Sequence, residues 1–233
     1  FKDRASILVA LKAIQLGINE IAAASTGNAG SSIAGICARL GMKSHLFVSK
    51  NIPEAKRIQI QSYGASLYIV DGDYDEAFDL CHEVSSRNKW YNRNTAYNPL
   101  TIEGKKTGAF DIFIASKGLL PDIIFIPAGD GVILGGLYKG FTDLYRLGWI
   151  EKLPRLIAVQ AKGSRGIVDF IETGKFIFET ASTIADSISA GAPRNLFMAA
   201  KGIKETNGDA VTLSDEVIIS AQEKIARNFG FLV

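Results

Sequence analysis

Residues 25–30, Ser25-Thr26-Gly27-Asn28-Ala29-Gly30, form a small polar loop around which the other segments can be arranged. An apolar run, Ile21–Ala24, precedes this loop and predicts a short buried strand, and residues 31–40 follow with the apolar spacing of a helix. Such a loop presents backbone N–H groups and the positive end of a helix to whatever lies above it. The stretch therefore predicts an anion-binding loop, although a capped turn would use the same residue types.

The order of the other segments predicts an α/β fold. Helical spacing covers residues 5–17, 53–63, 75–88, 101–117, 132–147, 167–173, 195–204 and 214–227, and strands are predicted at 45–49, 66–70, 90–93, 122–127, 155–161 and 210–213. Strands that alternate with helices and are often continuously apolar indicate two open, mostly parallel sheets flanked by helices. We expect a smaller domain over residues 20–95 and a larger one made of 1–19 and 96–233.

Composition and charge exclude several classes of protein. Hydrophobic residues make up 47% of the 233 residues, charged residues make up 21%, and the net charge is +2, so neither nucleic acid nor a membrane surface is an expected partner. Cys37 and Cys81 lack metal-type spacing and predict reduced core thiols of a cytoplasmic protein. His45 and His82 have no partner at helical ligand spacing, so we expect structural roles for both and no metal site.

A second glycine-bearing loop follows the most apolar predicted strand. Residues 127–131, Pro-Ala-Gly-Asp-Gly, lie between that strand and a helix, where converging backbone amides favour a phosphate. The stretch lacks the Gly-Lys-Ser/Thr of a Walker loop, and Leu134 occupies the position of the third glycine of a dinucleotide motif. A tight strand-to-helix turn remains the alternative. Asp130 suits an anion site only if its side chain turns away or binds another group.

Two anion loops and a lysine suggest pyridoxal phosphate, and the motifs resemble the fold type II, or tryptophan-synthase-β-like, enzymes that carry it. Within that family the chain is most similar to the threonine synthases. The matching stretches follow family order along the whole chain: Phe1–Arg4, Ser25–Asn28, Asn98–Pro99, Glu103–Gly104, Lys106–Thr107, Gly129–Ile133, Thr183–Ile188 and Leu213–Glu216.

The resemblance implies a role for each matched position. Lys2 would form the Schiff base with pyridoxal 5'-phosphate and then act as the general base. Asn28 would contact the pyridine ring, and Ser25, Thr26, Gly27 and Asn28 would hold the carboxylate of an amino-acid substrate. The cofactor phosphate would lie against Gly129, Asp130, Gly131, Val132 and Ile133. By the same resemblance the smaller domain carries the asparagine loop, the larger one carries the lysine and the phosphate loop, and the protein is a homodimer.

Two departures from the family pattern stand out. The family carries its lysine well inside the chain and supplies a hydroxyl residue to the pyridine nitrogen from beyond position 233, so we expect this chain to be truncated at both ends. The positions that hold the substrate phosphate in threonine synthases are Ala29, Ala96, Thr101 and Asp130 here. A carboxylate about 4 Å from a phosphate costs on the order of 4 kcal/mol at an effective dielectric near 20. Arg93, Lys105 and Lys106 are the candidate replacements.

These observations support one leading hypothesis and two alternatives. The leading one is a pyridoxal-phosphate-dependent lyase, a threonine synthase or close paralogue that converts O-phosphohomoserine to threonine and phosphate. The first alternative keeps the cofactor but performs β-elimination or β-replacement on serine, threonine or a related amino acid. The second alternative is a non-catalytic α/β module that binds a nucleotide or small anion.

Overall fold

Two separate sheets, in which all neighbouring strands are parallel, form the framework of the computed structural model, which describes residues 1–232. The strands are β1 (Glu20–Ala24), β2 (Lys43–Ser49), β3 (Ser66–Val70), β4 (Tyr91–Asn92), β5 (Ile123–Pro127), β6 (Arg155–Ala161) and β7 (Asp209–Leu213). The first sheet has the order β3-β2-β1-β4, and the second has the order β5-β6-β7. The expected fold class, two open parallel sheets with helices between their strands, is confirmed.

Helices connect most of the strands. They are α1 (Asp3–Gln15), α2 (Asn28–Leu40), α3 (Glu54–Ser62), α4 (Tyr74–Asn88), α5 (Leu100–Ala115), α6 (Val132–Arg146), α7 (Gly166–Thr173), α8 (Leu196–Glu205) and α9 (Asp215–Phe229). A short 3-10 turn covers Asp186–Ile188. Sequence signals explain several of these boundaries: Asp73 and Glu76 form a reciprocal capping box at the start of α4, and Gly41 ends α2 in a left-handed conformation.

The start of α2 differs from the sequence prediction. We expected this helix from Ser31, but the helical backbone begins at Asn28, so half of the polar loop is the first helical turn. Ala29 and Gly30 are compatible with that conformation, and their small side chains leave no apolar signal for a periodicity argument. As a result, the side chain of Asn28 extends from a helix N-terminus.

The first sheet is covered on both faces. On one face, Ile21 and Ala23 of β1 join a buried cluster with α1, α2 and α3 that includes Val9, Ile33 and Ile60. On the other face, Ala22 and Ala24 pack with Phe47, Phe78 and Cys81. The two faces of β1 are therefore both apolar, as expected for a parallel strand between two helical layers.

The edge strand β5 is less buried than its apolar sequence suggests. Phe125 is 67% exposed and Ile123 is 40% exposed, while Ile126 is buried. Among the described residues β5 pairs on one side only, with β6, and Ile123 and Phe125, two residues apart, lie on one face of the strand.

The chain divides into two compact units. The first contains residues 1–120 and 135–153, and the second contains 121–134 and 154–233. The four strands of the first sheet all lie within residues 20–95, and the three strands of the second all lie within 96–233. The boundaries of these units differ from the domain boundaries that we predicted from the sequence. The predicted domains remain a prediction.

Candidate functional site

The loop between β1 and α2 has the features of an anion-binding turn. The N–H of Gly27 donates to Ser25 Oγ at 3.2 Å, and the N–H of Ser25 donates to the carbonyl of Phe47 at 3.1 Å. Gly27 occupies the N-cap of α2, and no side chain caps the helix there. The first N–H groups of α2 are therefore available to a ligand carboxylate or phenolate, because they have no partner within the helix.

Asn28 has a partner that the sequence did not suggest. Its side chain is exposed, and Lys56 Nζ of α3 donates to Asn28 Oδ1 at 3.0 Å. Lys56 lies 28 positions further along the chain, so no local motif could have found this contact. The ammonium group adds positive charge beside the N-terminus of α2, where an anion is already favoured.

Lys2 lies at the start of α1, next to Asp3, which contacts α2. It occupies the N-cap position, and its carbonyl accepts from the N–H of Ser6 at 3.2 Å. The hydroxyl of Ser32, one turn into α2, donates to Asp3 Oδ1 at 2.5 Å, and its oxygen lies 2.9 Å from Ser6 Oγ. This bridge connects the segment that carries Lys2 with the helix that starts at Asn28.

Glycines of α5 set the position of α1. A Cβ at Gly104 would lie 2.1 Å from the carbonyl oxygen of Arg4, and a Cβ at Gly108 would lie 2.8 Å from the Phe1 ring. The Arg4 guanidinium donates to Thr107 Oγ1 at 2.8 Å. The stretch Glu103–Thr107, which resembled a family signature, thus forms the surface on which the Lys2 helix rests.

A segment rich in asparagine follows β4 and fastens the end of β1. Asn94 Oδ1 accepts from the N–H of Ala24 at 2.7 Å, and Asn94 Nδ2 donates to the carbonyl of Phe78 at 3.2 Å. The hydroxyl of Thr101 is buried and donates to the carbonyl of Asn98 at 2.8 Å. Thr101 and Ala29 occupy two of the four positions expected to hold a substrate phosphate. The Thr101 hydroxyl is used at the start of α5, and Ala29 is buried and has only a methyl side chain.

The glycine loop before α6 belongs to the second unit. Gly131 has a φ of 79°, a left-handed conformation that favours glycine, and a Cβ there would lie 2.8 Å from Ala199 Cβ. A Cβ at Gly129 would lie 2.9 Å from Ile188 Cα. Both glycines are therefore required by close packing, and the loop leads directly into the N-terminus of α6.

Asp130 is partly turned toward the protein. Its Oδ1 accepts from the N–H of Arg194 at 3.3 Å, and its carbonyl accepts from the N–H of Asn195 at 2.9 Å. Asn195 Nδ2 also donates to the carbonyl of Gly131 at 3.2 Å. Residues 194–195 therefore hold the loop. The Asp130 carboxylate binds another group, the N–H of Arg194, as the sequence analysis required for an acidic residue in an anion-binding loop.

Two further matched stretches meet in the second unit. Thr183 Oγ1 donates to Asp215 Oδ1 at 2.6 Å, and the N–H of Ile184 donates to Asp215 Oδ2 at 3.0 Å. Ile188, at the other end of Thr183–Ile188, packs on Gly129. The first turn of α9 thus fastens a segment whose far end borders the glycine loop.

Gln160 is a buried polar residue that the sequence analysis missed. Its Nε2 donates to the carbonyl of Ala128 at 3.0 Å, and its Oε1 accepts from the N–H groups of Ile167 and Val168 at 2.9 and 3.0 Å. One side chain therefore fixes the start of the glycine loop and caps α7. The available signal was a single polar residue in the otherwise apolar end of β6.

Cys37, Cys81 and His45 are buried and pack in the interior of the protein. Burial raises the pKa of both Cys37 and Cys81 to about 12, so these thiols stay protonated at neutral pH. His45 is buried, stacks on Trp90 with ring centroids 3.6 Å apart, and has its Nε2 2.8 Å from Glu20 Oε2. Within residues 1–232 no group of three or more His, Cys, Asp or Glu could hold a metal ion, and no helix is long and apolar enough to cross a membrane.

The chain belongs to the family described as pyridoxal-phosphate dependent enzymes, whose model matches residues 1–233. It is 33% identical to the threonine synthase of Methanocaldococcus jannaschii, with 100% of this chain and 58% of the relative covered. It is 34% identical to that of Methanosarcina acetivorans, covering 99% and 58%, and 31% identical to that of Mycobacterium tuberculosis, covering 100% and 63%. The chain thus spans about 60% of the length of these relatives.

Solved structures show the same fold. The processed form of threonine deaminase isoform 2 from Solanum lycopersicum superposes with a TM-score of 0.83 at 18% identity, covering 100% of this chain and 62% of that one. Maize serine racemase gives a TM-score of 0.81 at 18% identity, covering 100% and 68%. At these identities the likeness extends to the fold of the fold type II enzymes and no further.

The residues of the glycine loop fit the phosphate of pyridoxal 5'-phosphate, the cofactor of this family. Gly131 is left-handed directly before α6, and the first N–H groups of a helix have no partner within it, which favours a phosphate at this position. In the first unit, the Asp3–Ser32 bridge connects the start of α1 with that of α2. The roles of the individual site residues, including Lys2 and Asn28, stay predictions.

Proposed function

We propose that the chain is part of a pyridoxal-phosphate-dependent threonine synthase or a close paralogue, which converts O-phosphohomoserine and water to threonine and phosphate by γ-elimination and β-addition of water. The names of the relatives at 31–34% identity support this choice. The observation that supports it is the hydrogen bond from Ser32 to Asp3, because it joins the helix start next to Lys2 to the helix that follows Ser25, Thr26 and Gly27. The proposed base and the proposed carboxylate-binding loop would then belong to two helix starts that this hydrogen bond connects.

The residues of the chain would divide the work as follows. Gly129, Asp130, Gly131, Val132 and Ile133 would hold the cofactor phosphate. The hydroxyl groups and N–H groups of residues 25–28 would bind the substrate carboxylate and so orient the Cα–H bond. Lys2 would remove the proton from the substrate Cα as general base. The bound cofactor supplies the electron sink that makes this proton acidic enough to remove.

A second candidate is β-elimination or β-replacement on serine, threonine or a related amino acid. Thr101 favours this candidate. It is buried and donates to the Asn98 carbonyl, whereas the resemblance to threonine synthases implies an arginine that holds the substrate phosphate at this position. The buried Ala29 also contributes no polar group. Both candidates use the same proposed lysine and the same carboxylate loop, so they differ only in what surrounds the substrate side chain.

The deciding experiment uses the full-length protein with pyridoxal 5'-phosphate. It would be incubated with O-phospho-L-homoserine, and separately with L-threonine or L-serine, and the products would be identified by mass spectrometry. Threonine and phosphate from the first substrate support threonine synthase activity. A 2-oxo acid from the others, with the first substrate inert, supports the eliminating enzyme.

The Lys2→Ala variant is the matched control for both reactions. We expect its rate to fall by at least about a thousandfold, since a general base that also holds the cofactor is removed. Lys12→Ala, a change on the same helix at a side chain that donates to Gln15 Oε1 at 2.9 Å, should keep the wild-type rate. Absence of any turnover together with no visible cofactor absorbance in the wild-type protein would favour the non-catalytic module.

A further inference from the structure

Arg93 is a buried cation with one nitrogen unaccounted for. Its side chain is 1% exposed and follows β4, and its backbone N–H donates to the carbonyl of Ala22 at 2.8 Å. Nε donates to Ser6 Oγ at 3.3 Å, and Nη1 donates to Thr95 Oγ1 at 3.1 Å. Nη2 is buried and has no hydrogen-bond partner in the described residues.

The recorded hydrogen-bond partners of this guanidinium are neutral. Both of its hydrogen-bond partners are hydroxyl groups, and no salt bridge joins it to a carboxylate within residues 1–232. Burial lowers the pKa of Arg93 to about 10, and Tyr74 partly opposes this shift, so the group is still charged at neutral pH. A buried charge without a counter-charge is costly, so an anionic ligand that supplies the counter-charge would be favoured here.

Arg93 is also close to the proposed base. Ser6, which it contacts, is four residues after Lys2 and lies on the same face of α1. The hydrogen bond to Ser6 therefore connects Arg93 to a residue one helical turn, roughly 5–6 Å, from Lys2.

We propose that Arg93 binds the anionic side-chain group of the substrate, a phosphate or similar oxyanion, through its unsatisfied Nη2. This inference rests on the proposed function, since it takes Lys2 to lie at the reacting carbon. It also accounts for the departures at Ala29, Ala96, Thr101 and Asp130: the positive charge is supplied from another segment of the chain. Of the other two candidates, Lys106 is paired with Glu103 and Asp143, and Lys105 lies buried beneath Gly136.

The test uses the full-length holoenzyme, in which the cofactor fills its own phosphate site, and inorganic phosphate as the probe. Titration calorimetry would compare the wild type with Arg93→Met and Arg93→Lys. We expect affinity to fall at least about tenfold in Arg93→Met and less in Arg93→Lys, because charge-assisted bonds to phosphate are strong and an ammonium keeps only part of them. Arg87→Met, at a 75% exposed arginine paired with Glu83, is the matched control and should bind phosphate normally.

Stability distinguishes ligand binding from a structural role. Replacing a buried, uncompensated cation by an apolar side chain of similar length should leave the urea midpoint of Arg93→Met equal to or above that of the wild type. Equal phosphate affinity in the wild type and Arg93→Met, or a clearly lower midpoint with unchanged affinity, would overturn the proposal. Should Arg93→Met not fold, Arg93→Lys decides: a fall of at least about threefold supports the proposal and unchanged affinity rejects it.

Kinetics then separate this inference from the proposed function. With O-phospho-L-homoserine we expect kcat/KM to fall at least about tenfold in Arg93→Met, because the phosphate that Arg93 is proposed to bind is the leaving group of the reaction. A wild-type enzyme that does not turn over this substrate would refute the threonine synthase assignment. The phosphate titration would still decide the role of Arg93 in that case.

Discussion

Gly30 illustrates how a single residue shapes the candidate site. A Cβ at this position would lie 2.5 Å from the carbonyl oxygen of Ser25, whereas a Cβ at Gly27 would meet nothing within 4 Å. The two glycines of this loop therefore differ in whether the surrounding structure leaves room for a side chain. Gly30 lets the Ser25 carbonyl lie close to the first turn of α2, and the space next to Gly27 is open.

Substitution of Gly30 should affect mainly the stability of the protein, and substitution of Gly27 should affect mainly substrate binding. We expect Gly30→Ala to lower the free energy of unfolding by about 1–3 kcal/mol, because backbone must move to relieve the overlap. Gly27→Ala should change it by less than about 0.5 kcal/mol but weaken substrate binding, since a methyl group enters the open space. Urea denaturation and substrate KM would measure the two effects. Equal stability of both variants would show that the close approach at Gly30 is not required.

At the scale of elements, a stack of helices supports Lys2. Gly104 and Gly108 of α5 face α1, and Gly136 and Gly140 of α6 face α5, where a Cβ at Gly140 would lie 2.4 Å from the carbonyl of Lys106. Glycines four residues apart lie on one helix face and let two backbones approach closely. The position of α1, and with it the position of Lys2, depends on this spacing.

Gly104→Ala tests that dependence. The new Cβ would overlap the Arg4 carbonyl, so α1 must shift, and we expect a loss of about 2–3 kcal/mol of stability together with weaker cofactor retention. Gly35→Ala in α2 is the matched control, because its Cβ would lie 3.4 Å from the Tyr63 ring and alanine is the better helix former by about 0.5–1 kcal/mol. Thermal denaturation and visible absorbance would measure both variants. A Gly104→Ala protein as stable as Gly35→Ala would contradict the proposed stack.

An ion-pair network also joins α5 and α6. Lys106 Nζ lies 3.0 Å from both Glu103 Oε2 and Asp143 Oδ2, and Lys139 Nζ lies 3.1 Å from Glu103 Oε1 and 3.4 Å from Asp143 Oδ2. Burial alone would raise the pKa of Glu103 and Asp143, but the two ammonium groups outweigh it and lower both. The Glu103 hydrogen bond raises the pKa of Lys106, against the opposing effect of burial.

This network should stabilise the protein between acidic and strongly alkaline pH. The lowered carboxylate pKa values mean that the contribution is complete above the ordinary values of about 4 and is lost as pH falls through the folded-state values. The raised pKa of Lys106 means that it is lost again as pH rises above about 10.5. At pH 7 we expect Glu103→Gln to cost about 0.5–1 kcal/mol. Near pH 3 the difference from the wild type should shrink, as measured by urea denaturation.

The control is Glu223→Gln, which removes the partner of Arg227 in an exposed pair 3.7 Å apart. Such a pair contributes little, so this variant should match the wild type at both pH values. An effect of Glu103→Gln that is the same at pH 3 and pH 7 would mean that packing, and not charge, explains it.

At the scale of the whole molecule, cofactor binding and folding should be linked. A ligand at about 100 times its Kd adds about 2.7 kcal/mol to the free energy of unfolding. We expect pyridoxal 5'-phosphate to raise the urea midpoint of the full-length protein, and Lys2→Ala to reduce that increase without changing the midpoint of the cofactor-free protein. Lys12→Ala should retain the full increase. The same cofactor-dependent increase in Lys2→Ala would contradict the role proposed for Lys2.

Elements and site chemistry differ in how far the sequence could predict them. Apolar spacing predicted the helices and strands because periodicity reports which side of an element is buried. The start of α2 was predicted three residues late, since Asn28, Ala29 and Gly30 carry no periodic signal. The roles of Lys56 and Gln160 were missed because their contacts join residues that are distant along the chain.

By itself, the sequence determined the fold class, the family and the two glycine-bearing loops, because these depend on local residue patterns and on the order of motifs along the chain. Tertiary structure alone decided the neighbours of each loop: Asn28 beside Lys56, Asp130 toward residues 194–195, and Arg93 buried among hydroxyl groups. Sheet order and helix packing bring these residues together across 28 to 87 positions, and no local pattern records such distances. The charge balance of the site is therefore a property of the folded chain.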